Sequence, residues 1–81
     1  MLSMLKDASG KVVGAKQVLR AIAAGGVSTV YVASDADVFV TRPVYDACRE
    51  KGVSLIEVPS MKELGEACGV EVKAAVAAIR R

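Results

Sequence analysis

Lys73-Ala74-Ala75-Val76-Ala77-Ala78-Ile79 is the stretch on which the fold turns. By propensity alone its alanines favour a helix. Read as a strand, it buries Val76 and Ile79 in a sheet and completes an alternation of helices and strands that runs along the rest of the chain. Architecture favours the strand, and with it a three-layer α/β/α sandwich around a four-stranded mixed sheet.

Moving toward the N-terminus, Ser60-Met61-Lys62-Glu63 is a capping box, in which the Ser60 hydroxyl and the Glu63 carboxylate each satisfy a free backbone N–H. The helix it opens ends at Gly69. Val53 to Val58 reads as a strand. Before it, Thr41-Arg42-Pro43 is expected to open a helix, because proline is tolerated in a first turn. That helix carries Val44, Ala47 and Cys48 as its apolar stripe and ends at Gly52. Ser34 to about Val40 is then a loop, and Thr29 to Ala33 is the clearest strand in the sequence. Ala15 to about Ala24 repeats Val18, Leu19, Ile22 and Ala23 at helical spacing, with Gly25-Gly26 as its left-handed end. Lys11-Val12-Val13 is a brief β-branched stretch. Met1 to Ala8 fits a short helix with Leu2 and Leu5 on one face.

Composition narrows the function classes. A chain of 81 residues makes one domain, covering 1–81, and its 53% hydrophobic content supplies a real core. The longest uncharged run, Ala21 to Ser34, is interrupted by glycines and falls short of the roughly 20 residues needed to span a bilayer. Lys6 and Asp7 stand where a signal peptide needs an apolar run. The expectation is a cytoplasmic monomer with no membrane association, whose Cys48 and Cys68 are reduced, buried thiols. A net charge of +2 announces no partner, but its distribution does more. Residues up to Ser34 hold Lys6, Lys11, Lys16 and Arg20 against Asp7 alone.

Catalysis is not expected. The chain has no histidine, so neither cysteine nor serine has an evident activating base. Asp35-Ala36-Asp37 is the one carboxylate cluster worth weighing as a magnesium site, and capping of the loop by these side chains is the stronger reading. No cofactor is implied. Only Tyr31, Phe39 and Tyr45 are aromatic, too few for a base-stacking sheet.

What remains is Gly14-Ala15-Lys16-Gln17, with Arg20 one turn on, at the start of a helix. Free N–H groups and the positive end of the helix dipole attract phosphate there. Lys16 and Arg20 share a face with Gln17 beside it, and Gly14 leaves close approach open. Lysine can address guanine O6 and N7, and a glutamine amide can both donate and accept at a base edge. An ordinary solvated helix face is the competing reading of the same spacing.

Gly14-Ala15-Lys16-Gln17-Val18-Leu19-Arg20-Ala21-Ile22 resembles the RNA-contacting helix of the ribosomal protein L7Ae/L30e family, which binds kink-turn RNA. Val58-Pro59-Ser60-Met61-Lys62-Glu63-Leu64-Gly65-Glu66-Ala67-Cys68-Gly69-Val70-Glu71-Val72 resembles that family's second signature, and Val32 to Asp37 fits as well. The short length and the Lys16-Gln17 pair look most like the small bacterial members of the YbxF type. The resemblance implies the sandwich fold, the fourth strand and a non-enzymatic role on ribosomal or other structured RNA. It also implies a mechanism, in which the helix start reads tandem sheared G·A pairs and the loop covers an extruded nucleotide. Carried onto this sequence, Gly14, Ala15, Lys16, Gln17 and Arg20 become helix contacts, and Val70, Glu71 and Val72 become loop contacts. For Val70 and Val72, burial against the sheet is the alternative. The chain departs from the family where archaeal members carry Asn-Glu in place of Lys16-Gln17, where Val38 replaces a common proline, and where Arg20 replaces lysine. A protein-interaction or small-anion-binding module on the same fold is the alternative function.

Overall fold

The ambiguous segment near the C-terminus is a strand, and it lies inside the sheet. The computed structural model describes residues 3–8 and 10–81. Its elements are α1 (Ser3–Asp7), β1 (Lys11–Val13), α2 (Ala15–Ala23), β2 (Val27–Ala33), α3 (Val38–Lys51), β3 (Ser54–Val58), α4 (Met61–Cys68) and β4 (Val76–Arg80). The strands lie in the order β1-β4-β2-β3. β4 is antiparallel to both β1 and β2, and β2 runs parallel to β3. Leu2, expected beside Leu5, falls outside the described residues.

Burial decides the state of β4. Val76, Ala77 and Ala78 are all fully buried, because a central strand with helices on both faces has no solvent side. Alanine's small volume lets the helices come close. The hydrogen-bond partners that β1 and β2 offer on either side outweigh an intrinsic helix preference of a few tenths of a kcal/mol per residue, on the order of the propensity scale.

Alternation along the strands divides the interior into two cores. Val30 and Val32 of β2 with Val76 and Ala78 of β4 face α2 and α3, where they meet Val18, Ile22, Val44 and Cys48. Tyr31 and Ala33 with Ala77 face the other way, against Leu5 of α1 and Leu64, Ala67 and Cys68 of α4. Leu5, Ile22, Leu64 and Tyr31 are among the largest fully buried side chains, each aliphatic one contributing about 1.5–3 kcal/mol by burial.

Several boundaries differ from expectation: β4 begins at Val76, leaving Lys73 to Ala75 outside the strand, and β3 begins at Ser54. β2 begins at Val27, two residues before Thr29. More consequentially, α3 begins at Val38 and not at Thr41. The Asp37 carboxylate accepts a hydrogen bond from the Phe39 N–H at 2.8 Å, the local bond of an N-cap. Pro43 therefore sits in the second turn, where its ring supplies no N–H for the Phe39 carbonyl. Both residues are exposed, so water can satisfy that carbonyl.

Candidate functional site

Three helices start at one end of the sandwich, and topology alone puts them there. Val13 pairs with Ala77, Val32 with Val76, and Ala33 with Val58. The C-terminal ends of β1, β2 and β3 thus lie together with the beginning of β4. α2, α3 and α4 follow those three strands, so their N-termini share that end and each presents the positive pole of its dipole.

Two of the three are closed by side chains. Asp37 caps α3. At α4, the Ser60 hydroxyl accepts from the Glu63 N–H at 3.1 Å, and the Asp35 carboxylate accepts from the Met61 N–H at 2.8 Å. The carboxylates of Asp35-Ala36-Asp37 therefore serve two different helices. No group of three or more potential metal ligands occurs among the described residues.

The start of α2 is different. Its N-cap is Gly14, with no side-chain cap hydrogen bond and φ 101°, ψ 141°. L-residues avoid that region, so the backbone requires glycine, while the space in front of it is open. The Gly14 N–H donates to the Val76 carbonyl at 2.9 Å and the Gly14 carbonyl accepts from the Val18 N–H at 3.0 Å. The first-turn N–H groups of Ala15, Lys16 and Gln17 are left without a side-chain acceptor. Around them, Lys16, Gln17 and Arg20 are exposed, and Gly14 and Ala15 are half-buried. Neither Lys16 nor Arg20 forms an ion pair among the described residues, whose one salt bridge joins Arg49 and Asp46.

Beside α2 lies the segment from Val70 to Ala75. It is tied to α4 by the Val70 N–H on the Gly65 carbonyl (3.2 Å) and the Ala74 N–H on the Met61 carbonyl (3.1 Å). The Ala75 carbonyl accepts from the Ala33 N–H at 2.9 Å, and Val76 receives Gly14. A path of backbone hydrogen bonds thus leads from this loop to the α2 start. Gly65 makes the crossing possible. A Cβ there would lie inside van der Waals contact of the Val72 carbonyl oxygen and 3.3 Å from the Ala74 nitrogen and the Lys73 Cα.

The two loop valines part company. Val70 packs against the second core, whereas Val72 is 72% exposed. Glu71 is exposed between them. With Lys62, Glu66 and Lys73, these residues line an open cleft of about 300 Å³. Of the eight expected site residues, Gly14, Ala15, Lys16 and Gln17 form the α2 start and Arg20 lies in the last turn of that helix; Val70, Glu71 and Val72 lie on the segment that returns from the far end of α4, with Val70 half-buried and the other two exposed.

Other groups are placed away from any chemistry. Cys48 and Cys68 lie in the two separate cores, on opposite faces of the sheet, as free thiols. Burial pushes both thiols up, an effect that Lys11 partly opposes at Cys68. Tyr31 is fully buried and its hydroxyl has no hydrogen-bond partner, so its ring is closed to any base. The sequence pattern did not single out Gly65 as a seat for the loop, nor Asp35 as a cap for a distant helix. A small residue inside an otherwise amphipathic helix was the available signal for the first.

Fold and site together define a small α/β/α sandwich that leaves one of its three clustered helix starts uncapped and flanks it with cations. The chain belongs to the ribosomal protein L7Ae/L30e/S12e/Gadd45 family, whose model matches residues 1–81. It is 47% identical over 68 residues to RNA-binding protein TTE2299 of Caldanaerobacter subterraneus, covering 84% of this chain and 83% of that one. With RNA-binding protein YbxF of Geobacillus stearothermophilus it shares 45% over 74 residues, 90% of each chain. Among solved structures, the Giardia lamblia 15.5kD RNA binding protein superposes with a TM-score of 0.94 at 31% identity, over 99% of this chain and 70% of that one. No helix among the described residues is long and apolar enough to cross a membrane.

Proposed function

We propose that this chain is a non-enzymatic, cytoplasmic RNA-binding protein that recognises kink-turn motifs, as a monomer bound to ribosomal or another structured RNA. The observation that carries the reading is the uncapped start of α2 with Lys16, Gln17 and Arg20 exposed around it. The relatives, RNA-binding proteins in each case, point the same way.

The chemistry follows from the geometry. The free N–H groups of the first turn take phosphate oxygens, and Arg20 anchors the backbone one turn on. Tandem sheared G·A pairs turn guanine O6 and N7 and the adenine edge outward. Lys16 donates to the guanine acceptors, and the Gln17 amide donates and accepts at a neighbouring edge. Val72, held outward by the Gly65 crossing, supplies an apolar cover for the nucleotide expelled at the kink. Glu71 accepts from exocyclic amines and repels a misplaced phosphate.

The test uses a kink-turn RNA labelled on its two arms and the same RNA with its G·A pairs replaced by Watson–Crick pairs. Tight binding to the first, with a rise in energy transfer as the arms close, and neither effect on the second, is the expected result. Equal binding to both RNAs, or to neither, would refute kink recognition and leave the protein-interaction or anion-binding module in its place.

A further inference from the structure

Phe39 is the most exposed large apolar side chain among the described residues, at 86%, with Val38 beside it at 60%. Its position is nonetheless fixed, because its N–H is held by the Asp37 carboxylate in the first turn of α3. α3 packs along α2. At their far ends, Leu19, Ile22 and Ala23 of α2 face Ala47, Glu50 and Lys51 of α3 across one groove. Both helices start at the same end of the sandwich, and α3 has 14 residues against 9 in α2. With their far ends level, at 1.5 Å per residue α3 reaches about 7.5 Å past the start of α2. The first turn of α3, which carries Phe39, thus projects past the α2 start at the same end of the sandwich.

Charge nearby favours a polyanion. Arg42 is exposed and forms no ion pair among the described residues, while the neighbouring carboxylates are engaged, Asp37 on its cap and Asp46 on Arg49. Val38, Arg42 and Tyr45 help to line an open groove of about 360 Å³ on α3. Phe39 and Arg42 are three residues apart on α3 and so share a helix face; an aromatic ring and a free guanidinium so placed can take one unpaired nucleotide, base on ring and phosphate on arginine. The apolar triplet Val38-Phe39-Val40 is small and bordered by charges, which suits a single base better than a protein interface.

The geometry points to Phe39 as a stacking platform for an unpaired base of the RNA held by α2, with Arg42 against that nucleotide's phosphate. The contact lies outside the paired bases that Lys16 and Gln17 address, and it rests on the reading of α2 as the RNA-binding element. Every base has a π-face, so the contact adds affinity with little sequence preference.

The test compares binding of the wild type, Phe39→Ala, Phe39→Tyr and Lys16→Ala to a blunt kink-turn RNA and to the same RNA with a short single-stranded extension at each end in turn. Phe39→Ala should lose about tenfold, within the range of one lost stacking contact. Phe39→Tyr should recover it, and the Phe39 ring protons should shift upfield when RNA is added. A loss confined to an extended RNA assigns the base to that extension, and an equal loss on the blunt RNA assigns it to the kink itself. If Lys16→Ala weakens binding while Phe39→Ala binds every RNA as the wild type does, this inference is overturned and the α2 reading stands. If Lys16→Ala also binds normally, the α2 reading has failed. Thermal melting of Phe39→Ala should match the wild type, since the side chain is solvent-exposed.

Discussion

Gly65→Ala should displace the loop that carries Val72, and the cost can be worked from its surroundings. The new methyl group meets the Val72 carbonyl oxygen, the Ala74 nitrogen and the Lys73 Cα, all of them backbone. No side-chain rotamer can relieve the overlap, so the segment must lift from α4. Overpacking of this kind costs about 1–3 kcal/mol. Lifting also strains the 3.1 Å bond from the Ala74 N–H to the Met61 carbonyl, worth about 1 kcal/mol net. Against this, alanine in a helix gains about 1 kcal/mol over glycine. The balance is a loss of about 1–3 kcal/mol, summing those ranges. For a domain of this size each kcal/mol lowers Tm by about 4–8 °C, so a fall of roughly 10 °C is expected by circular dichroism. In the RNA assay the variant should keep the contacts of Lys16 and Gln17 and lose that of Val72, which weakens binding without abolishing it. A Tm equal to or above that of the wild type would mean that helix propensity outweighs the crossing, and the argument that Gly65 seats the loop would be refuted.

Lys16→Ala and Gln17→Ala should each weaken kink-turn binding by about 1–3 kcal/mol with no fall in melting temperature, because both side chains are exposed. Filter binding together with a thermal scan checks both halves. For roughly two to four phosphate contacts, log Kobs against log salt should fall with a slope between about −2 and −4; a slope near zero would remove the electrostatic role of the α2 start. Alkaline pH should destabilise the fold. Burial raises the Cys48, Cys68 and Tyr31 pKa values in the folded state, so the folded chain holds protons that the unfolded chain releases. Their contribution is complete below the unfolded thiol value, near 8.5, and declines as the pH rises through it. Urea midpoints should therefore fall above that pH, and a midpoint that rises instead would contradict the sign. In the folded protein both thiols should resist alkylation that proceeds readily in urea.

Residues whose partners lie nearby in sequence revealed themselves in the sequence. Lys16 and Arg20 share a helix face because four residues separate them, and Ser60 declares its helix through Glu63, three residues on. Asp35 did not, since the helix it caps begins 26 residues away. Asp37 is a local cap of standard residue type, but Pro43 drew the expected helix start to itself. Proline's preference for a first turn is only a preference, and here the Asp37 bond and the packing of Thr41 and Val44 hold the helix around it. The strand at Val76–Arg80 was legible only through the architecture, because Ala77 and Ala78 take their state from neighbours on both sides. Gly65 was legible only as a small residue inside an amphipathic helix, since the loop it admits returns across the helix by a route that no periodicity describes.

The caps divide the clustered helix ends into two kinds. Asp37 at α3, and Asp35 with Ser60 at α4, satisfy N–H groups and, through their carboxylates, oppose the positive pole, which is what helix stability alone would favour. α2 follows the opposite rule. Gly14 brings no oxygen to its first turn, and Lys16 adds positive charge where the dipole is already positive. The unfavourable charge costs on the order of 0.3–1 kcal/mol, and glycine in place of a side-chain cap costs about a few tenths of a kcal/mol more. A helix with nothing else to do would replace Gly14 and Lys16 with Ser or Asp and Glu, as α3 and α4 have done in part. Both penalties reverse sign when an anion arrives, because phosphate oxygens accept the free N–H groups and neutralise the cations in the same step. The start of α2 is therefore least stable alone and gains most from a polyanion, and that difference drives recognition at this end of the fold.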